Sequence, residues 1–373
     1  MVSTSNIQHL AETYLANNKA LRNTLGISQD AELVAHHLGM GEHNLNYWFE
    51  DPDSHERFVL RINVTKQPFH ENQVLYEFDA LRVLEPSGCT PKPLYLDSSD
   101  DAPHEGAMVI SFCPGKQLDF DHLRSHDLQR AACLMANVHA VPTTDASRIF
   151  RPKDPARKLF EACLGRYKLY LDSGFADAQV THRMDEFASI TQAAVDEVRF
   201  DRAQAHIVNT ETLASHFLLP IDCEPGEHEI SGDADALLDP AIPDEVRRAP
   251  GYFVDWERPI LGDIAEDVAF FVAPTTTFWD SELLFPMDKV RDFVELYWSA
   301  VDGRFERGNF DARFETFLKV ATFRALTWCC RAVVQQRSGS NVHITKKALA
   351  KVPIYLSPEF MDRANGTFQI AHS

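Results

Sequence analysis

Two short stretches, HIVNTETLASHFLLP at 206–220 and GYFVDWERPILGD at 251–263, decide how this chain is read. Each is an apolar, strand-like stub that carries polar and charged side chains where a strand would otherwise be greasy, and each interrupts a region of helical periodicity. The first runs Asn209-Thr210-Glu211, with Glu211 five residues ahead of His216; the second runs Phe253-Val254-Asp255-Trp256-Glu257 and continues through Gly262-Asp263 to Glu266-Asp267-Val268-Ala269. A carboxylate at the end of an apolar strand is costly to bury unless a cation or hydrogen-bond donors meet it, so Asp255 marks a site that expects positive charge.

Outward from these stubs the pattern divides. Upstream, AELVAHHLG, NLNYWFE and ERFVLRINV lie between about 31 and 64, separated by the turn-forming GMGEH and DPDSH, and read as three antiparallel strands. A helix is expected near 70–86, ending at Pro86-Ser87-Gly88, followed by strand candidates KPLYLD and AMVISF; an amphipathic helix over 4–24 opens the chain. After Pro114-Gly115 the period turns helical at about 121–140, 154–173, 177–199, 263–272, 287–302, 310–336 and 343–350. Residues 222–250, rich in proline and acid, have no period and read as an inserted surface excursion.

Composition bounds the chemistry. The 373 residues suggest two lobes or domains, and 45% hydrophobic with 24% charged residues describes an ordinary folded globule. Fifty-five acidic against 36 basic side chains give −19, a field that repels nucleic acid and anionic lipid and fits either cationic ligands or life at high salt. The seven cysteines form no CxxC pair, which removes zinc-ribbon and thioredoxin-like readings. Neither a signal-like start nor a window of about 18 apolar residues is present, so a cytoplasmic protein with reduced thiols and no membrane partner is expected. HExxH spacing and the Gly-x-Ser-x-Gly elbow are both missing, which argues against metallohydrolase and serine-hydrolase chemistry.

The order of these pieces resembles the aminoglycoside phosphotransferase and choline kinase-like group of small-molecule kinases, over roughly residues 30–335. The resemblance implies an α+β, protein-kinase-like bilobal fold: a small antiparallel β-sheet N-lobe with one helix, residues 1–113, and a larger, mainly helical C-lobe, residues 114–373. It implies ATP and Mg²⁺, with Mn²⁺ as an alternative ion, as cofactors, and a small-molecule hydroxyl of aminoglycoside, choline or sugar type as acceptor. The nucleotide and the acceptor would be its partners. Gly39, Gly41 and Asn44 match the nucleotide-covering turn, Arg61 the strand-three cation that meets the phosphates, and Glu77 the helix glutamate that pairs with it. Arginine keeps that cation's charge and adds a bidentate fork. Met108 to Gly115, with Ser111 and Cys113, resembles the adenine hinge, and Val138-His139-Ala140 the motif that braces the catalytic loop.

The decisive stubs match with altered identities. Glu211 stands where the group carries an aspartate base, Asn209 where it carries histidine, and His216 where it carries a metal-binding asparagine, while Asp255 keeps the metal-binding aspartate. This Asn-Thr-Glu loop is similar to a recurrent variant of the wider group, found with a DWE strand and a Pro-Thr-Thr-Thr run such as Pro274 to Thr277. The expected catalytic set is therefore Glu211, Asn209 and His216, with Asp255 and His216 toward the metal. A pseudokinase that binds ligand without turnover is the alternative that the altered loop leaves open.

Overall fold

The computed structural model describes the whole chain except residues 1–3, 42, 66–70, 100, 201–203, 222–236, 340–343, 345 and 370–373. Glu42 of the expected nucleotide-covering turn, Cys223 and the first half of the expected 222–250 excursion therefore lie outside the described residues. The chain separates into two compact units, one of Met1–Pro114 with Asp145–Ile149 and Val254–Glu257, the other of Gly115–Thr144, Phe150–Phe253 and Arg258–Ser373.

The first unit is built on a five-stranded antiparallel sheet. Its strands are β1 (His36–Met40), β2 (Asn44–Glu50), β3 (Arg57–Asn63), β4 (Pro93–Asp97) and β5 (Ala107–Ser111), in the order β1-β2-β3-β5-β4. The alternating apolar residues of β2 and β3 put Leu45, Tyr47, Phe49, Phe58, Leu60 and Ile62 into one core. Helices α1 (Thr4–Asn17) and α2 (Lys19–Leu25) add Ala11, Leu15 and Leu21 to that core. The single opening helix expected over 4–24 is thus two, because Asn18 caps α2 by accepting the backbone N–H of Leu21. Arg22 is buried and spends its guanidinium on the carbonyls of Leu15, Ser28 and Ala31, which satisfies the chain leaving α2.

Helix α3 (Gln73–Leu84) starts where Asn72 accepts from Leu75 N at 3.0 Å, and it carries Glu77 on its buried face. The register pairs Asn46 of β2 with Arg61 of β3 and Arg61 with Met108 of β5, so Arg61 sits on a central strand.

The second unit is mainly helical: α4 (Asp127–His139), α5 (Pro155–Leu171), α6 (Ala178–Glu197), α7 (Asp244–Arg248), α8 (Ile264–Val272), α9 (Pro274–Asp280), α10 (Met287–Val301), α11 (Phe310–Arg337), α12 (Lys346–Tyr355) and α13 (Pro358–Gln369). The 28-residue α11 is its spine and packs along α5, α6 and α8. Two small sheets interrupt the helices. In one, β7 (His206–Val208) pairs with β10 (Ile260–Gly262); in the other, β6 (Lys116–Gln117), β8 (Phe217–Leu219) and β9 (Tyr252–Phe253) lie in that order. Gly251 leads into β9 at φ +113°, and a Cβ there would lie 2.3 Å from the Leu218 carbonyl oxygen, so that close approach requires glycine.

The second stub differs from the strand expected over Phe253–Glu257. Pairing stops at Phe253, and Asp255 adopts the left-handed backbone region at φ +62°, which breaks the ladder and re-aims its side chain. Among the described residues no helix is long and apolar enough to cross a membrane.

Candidate active site

The first unit gathers one cation and three carboxylates. Arg61, 6% exposed, points its Nε at Glu77 Oε1 at 2.9 Å and its Nη1 at Asn46 Oδ1 at 3.2 Å. Its Nη2 reaches Asp255 Oδ1 at 3.0 Å and Glu257 Oε1 at 2.8 Å. The 254–257 segment is fixed to the same unit by Gln73, whose Nε2 donates to the Glu257 carbonyl at 2.5 Å, and by Asn44, whose Nδ2 donates to Glu257 Oε1. Asn44 is fully buried, and its Oδ1 has no hydrogen-bond partner among the described residues.

The electrostatics follow from that count. Burial, with repulsion from Glu257 and Asp255, raises the Glu77 carboxyl to about 8 against the opposing pull of Arg61, while the three carboxylates outweigh burial and raise Arg61 above its usual value. With Glu77 held toward its neutral form, one guanidinium shared by Asp255 and Glu257 leaves surplus negative charge. That excess fits a divalent cation, and the Asp255 side chain, 34% exposed, and Glu257, 20% exposed, offer the hard oxygen donors that Mg²⁺ prefers. Among the described residues no three His, Cys, Asp or Glu side chains group as a complete metal cage, so phosphate oxygens and water would complete such a shell.

Gly39 lies in β1 and Gly41 just after it; neither has positive φ, and a Cβ on Gly39 would meet open space. Gly41 N donates to Asn44 O at 2.9 Å and closes the turn. Ser111 ends β5 with its hydroxyl accepting Lys92 N at 2.9 Å, and the buried Cys113 thiol is pushed up to about 12 by burial.

The second unit holds the other predicted residues. Thr210 stands at φ +71°, a strained conformation for a β-branched residue, and the loop is pinned in it by Asp267. The Asp267 carboxylate accepts Asn209 N and Thr210 N, each at 2.7 Å, and faces His139 Nε2 at 3.2 Å; His139 Nδ1 lies 2.8 Å from the Tyr297 hydroxyl. Asn209 Oδ1 accepts Glu211 N at 3.1 Å, so Asn209 shapes the turn that presents Glu211. Arg324 of α11 donates through Nη1 to the Thr210 carbonyl at 2.7 Å and through Nη2 to Glu211 Oε1, and Arg258 Nη1 lies 4.0 Å from that oxygen. His216 closes a 3₁₀ turn, Ala214–His216, and its backbone N–H donates to Leu213 O at 3.0 Å.

Sequence reasoning passed over Asn46, Glu257, Asp267 and Arg324. Glu257 and Asp267 lie inside quoted motifs and could have been named; Arg324 is an arginine within a long helix, with no local signal.

Residues 35–205 match the phosphotransferase enzyme family. That match spans 171 of the 373 residues. Solved structures share its fold at low identity. A candidate aminoglycoside phosphotransferase from Ralstonia eutropha superposes with a TM-score of 0.65 at 13% identity, covering 94% of this chain and 98% of that one. A Plasmodium vivax ethanolamine kinase gives 0.58 at 10% identity over 97% and 91% of the two chains, and a Cryptosporidium parvum choline kinase 0.55 at 14% over 98% of each. No curated protein matches the chain in sequence.

Proposed function

We propose that the protein transfers the γ-phosphoryl group of ATP to a hydroxyl of a small molecule. The observation that carries the reading is the Arg61 guanidinium shared by Glu77, Asp255 and Glu257, a preorganised cation beside surplus carboxylate. That arrangement suits a triphosphate accompanied by a divalent ion better than either alone.

Each residue then has a task. Arg61 binds phosphate oxygens, and Glu77 and Asn46 hold its fork in place. Gly39, Gly41 and Asn44 form the turn over the phosphates, and the 111–113 backbone meets the adenine edge. Asp255 and Glu257 would hold Mg²⁺, which supplies neutralisation of phosphate charge when bound. His216 offers an imidazole nitrogen, a softer donor than this ion favours.

Glu211 accepts the proton of the acceptor hydroxyl as its oxygen bonds to the γ-phosphorus, while the bond to the β-phosphate oxygen breaks and ADP leaves. Asp267 and Asn209 keep the loop in the strained form that presents that carboxylate. The test is phosphoryl transfer from γ-labelled ATP across a panel of alcohols. A labelled product from the wild-type protein, lost in Glu211→Gln, supports the assignment; a Gln variant as active as the parent contradicts it.

A further inference from the structure

Glu211 sits in a local excess of positive charge, although the chain as a whole carries −19. Helices α5 and α11 pack along one another and bring Arg166 of α5 within electrostatic reach of Arg324 and Arg331 of α11 and of Glu211. Arg324 and Arg331 are seven residues apart on α11 and so share a face two turns apart. Arg324 is the arginine bound to Glu211 Oε1, its side chain 15% exposed. Arg331 buries its Nε without a hydrogen-bond partner among the described residues, and Arg166 pairs with no carboxylate within 4.0 Å among them.

Burial, with repulsion by Arg324 and Arg331, holds the Arg166 guanidinium below its usual pKa against the opposing effects of Cys163 and, more weakly, Glu211. The nearby Glu266 gives little relief, since burial raises its carboxyl to about 8 and leaves it mostly neutral at pH 7. Arg258 Nη1 also lies 4.0 Å from Glu211 Oε1, so one carboxylate stands among several guanidiniums and the cluster is short of anionic oxygen. A cationic acceptor would add to the repulsion, and a neutral one would leave the buried Arg331 Nε unmatched.

We propose that Arg166, Arg324 and Arg331 form the acceptor subsite, and that it takes an alcohol bearing an anionic oxygen group, a carboxylate or a phosphate ester. This rests on the phosphotransfer reading for the role of Glu211. The anion takes Arg324 as its partner, so Glu211 exchanges its ion pair for the substrate hydroxyl and becomes free to accept that proton.

The test is calorimetric titration of the full-length protein, at fixed ionic strength, with four compounds of related skeleton: gluconate, glucose 6-phosphate, glucose and glucosamine. The expected result is that one of the anions binds at least about tenfold tighter than glucose or glucosamine, and that Arg166→Gln and Arg331→Gln each weaken it by at least about tenfold with the melting temperature retained. Preference for gluconate assigns the group as a carboxylate, and preference for glucose 6-phosphate assigns it as a phosphate ester. Binding of neither anion, equal binding of glucosamine, or anion binding unchanged in both variants overturns the proposal. Transfer from ATP to glucosamine but to neither anion would retain the phosphotransferase reading and remove this one, whereas failure to bind ATP would strike at the former.

Discussion

Arg61 Nε and Glu77 Oε1 meet at 2.9 Å in a site where their side chains are only 7% and 3% exposed. Such a pair gains little over a well-packed apolar pair, but losing one member strands the other. Arg61→Met should therefore destabilise the protein by about 3–5 kcal/mol, because it abandons Glu77 and removes the shared partner of Asp255 and Glu257. Glu77→Gln, which keeps a hydrogen-bond acceptor, should cost less. Urea unfolding of both variants checks the order, and equal losses would show that the guanidinium is not the keystone.

Glu211→Gln keeps the shape of the proposed base and removes its basicity. Turnover should fall by roughly two to four orders of magnitude while ATP affinity stays near that of the parent. His216→Asn should retain activity if the loop works with the oxygen donors typical of the group. Steady-state kinetics with calorimetric ATP binding separates the two effects.

Glu266 gives a pH dependence with a definite sign. Burial and the neighbouring Asp267 raise its carboxyl from 4.5 to about 8, so the folded state holds a proton that the unfolded chain releases. The stability tied to that proton is complete below about pH 4.5 and is lost as pH rises through about 8. Between pH 5 and 8 the wild type should lose on the order of 3 kcal/mol more than Glu266→Gln. Parallel curves for the two proteins would show that Glu266 is already ionised in the fold.

The −19 charge makes a prediction about salt. If it reflects adaptation to high salt, the melting temperature should climb from low to molar KCl as self-repulsion is screened. A flat or falling curve would remove that reading.

The legible parts of this fold are those with strong local punctuation. Strands β2 and β3 could be read because DPDSH turns the chain between two runs of alternating apolar residues, and α11 because its period persists over 28 residues. Helix α9 was hidden in the Pro-Thr-Thr-Thr run, where Pro274 at the first turn begins a helix of β-branched residues that seldom favour one. The α1–α2 break depended on one capping side chain, Asn18. Candidate site residues could be named wherever a motif lies along the sequence, as with Glu211 and Asp255. They could not be named where α11 supplies Arg324 from more than a hundred residues away, nor could a side chain's direction be read where backbone strain at Thr210 and Asp255 sets it. Burial of Asp255 was the expectation, yet a third of its side chain is exposed, because the left-handed turn carries it past the end of β9.

The most direct test of the central claim is calorimetric titration of ATP into the wild type and Asp255→Asn, each with and without Mg²⁺. The account predicts tight binding by the wild type only with Mg²⁺, and loss of that metal dependence in the variant with its melting temperature retained. Equal ATP affinity in both proteins, or wild-type binding indifferent to Mg²⁺, would contradict it.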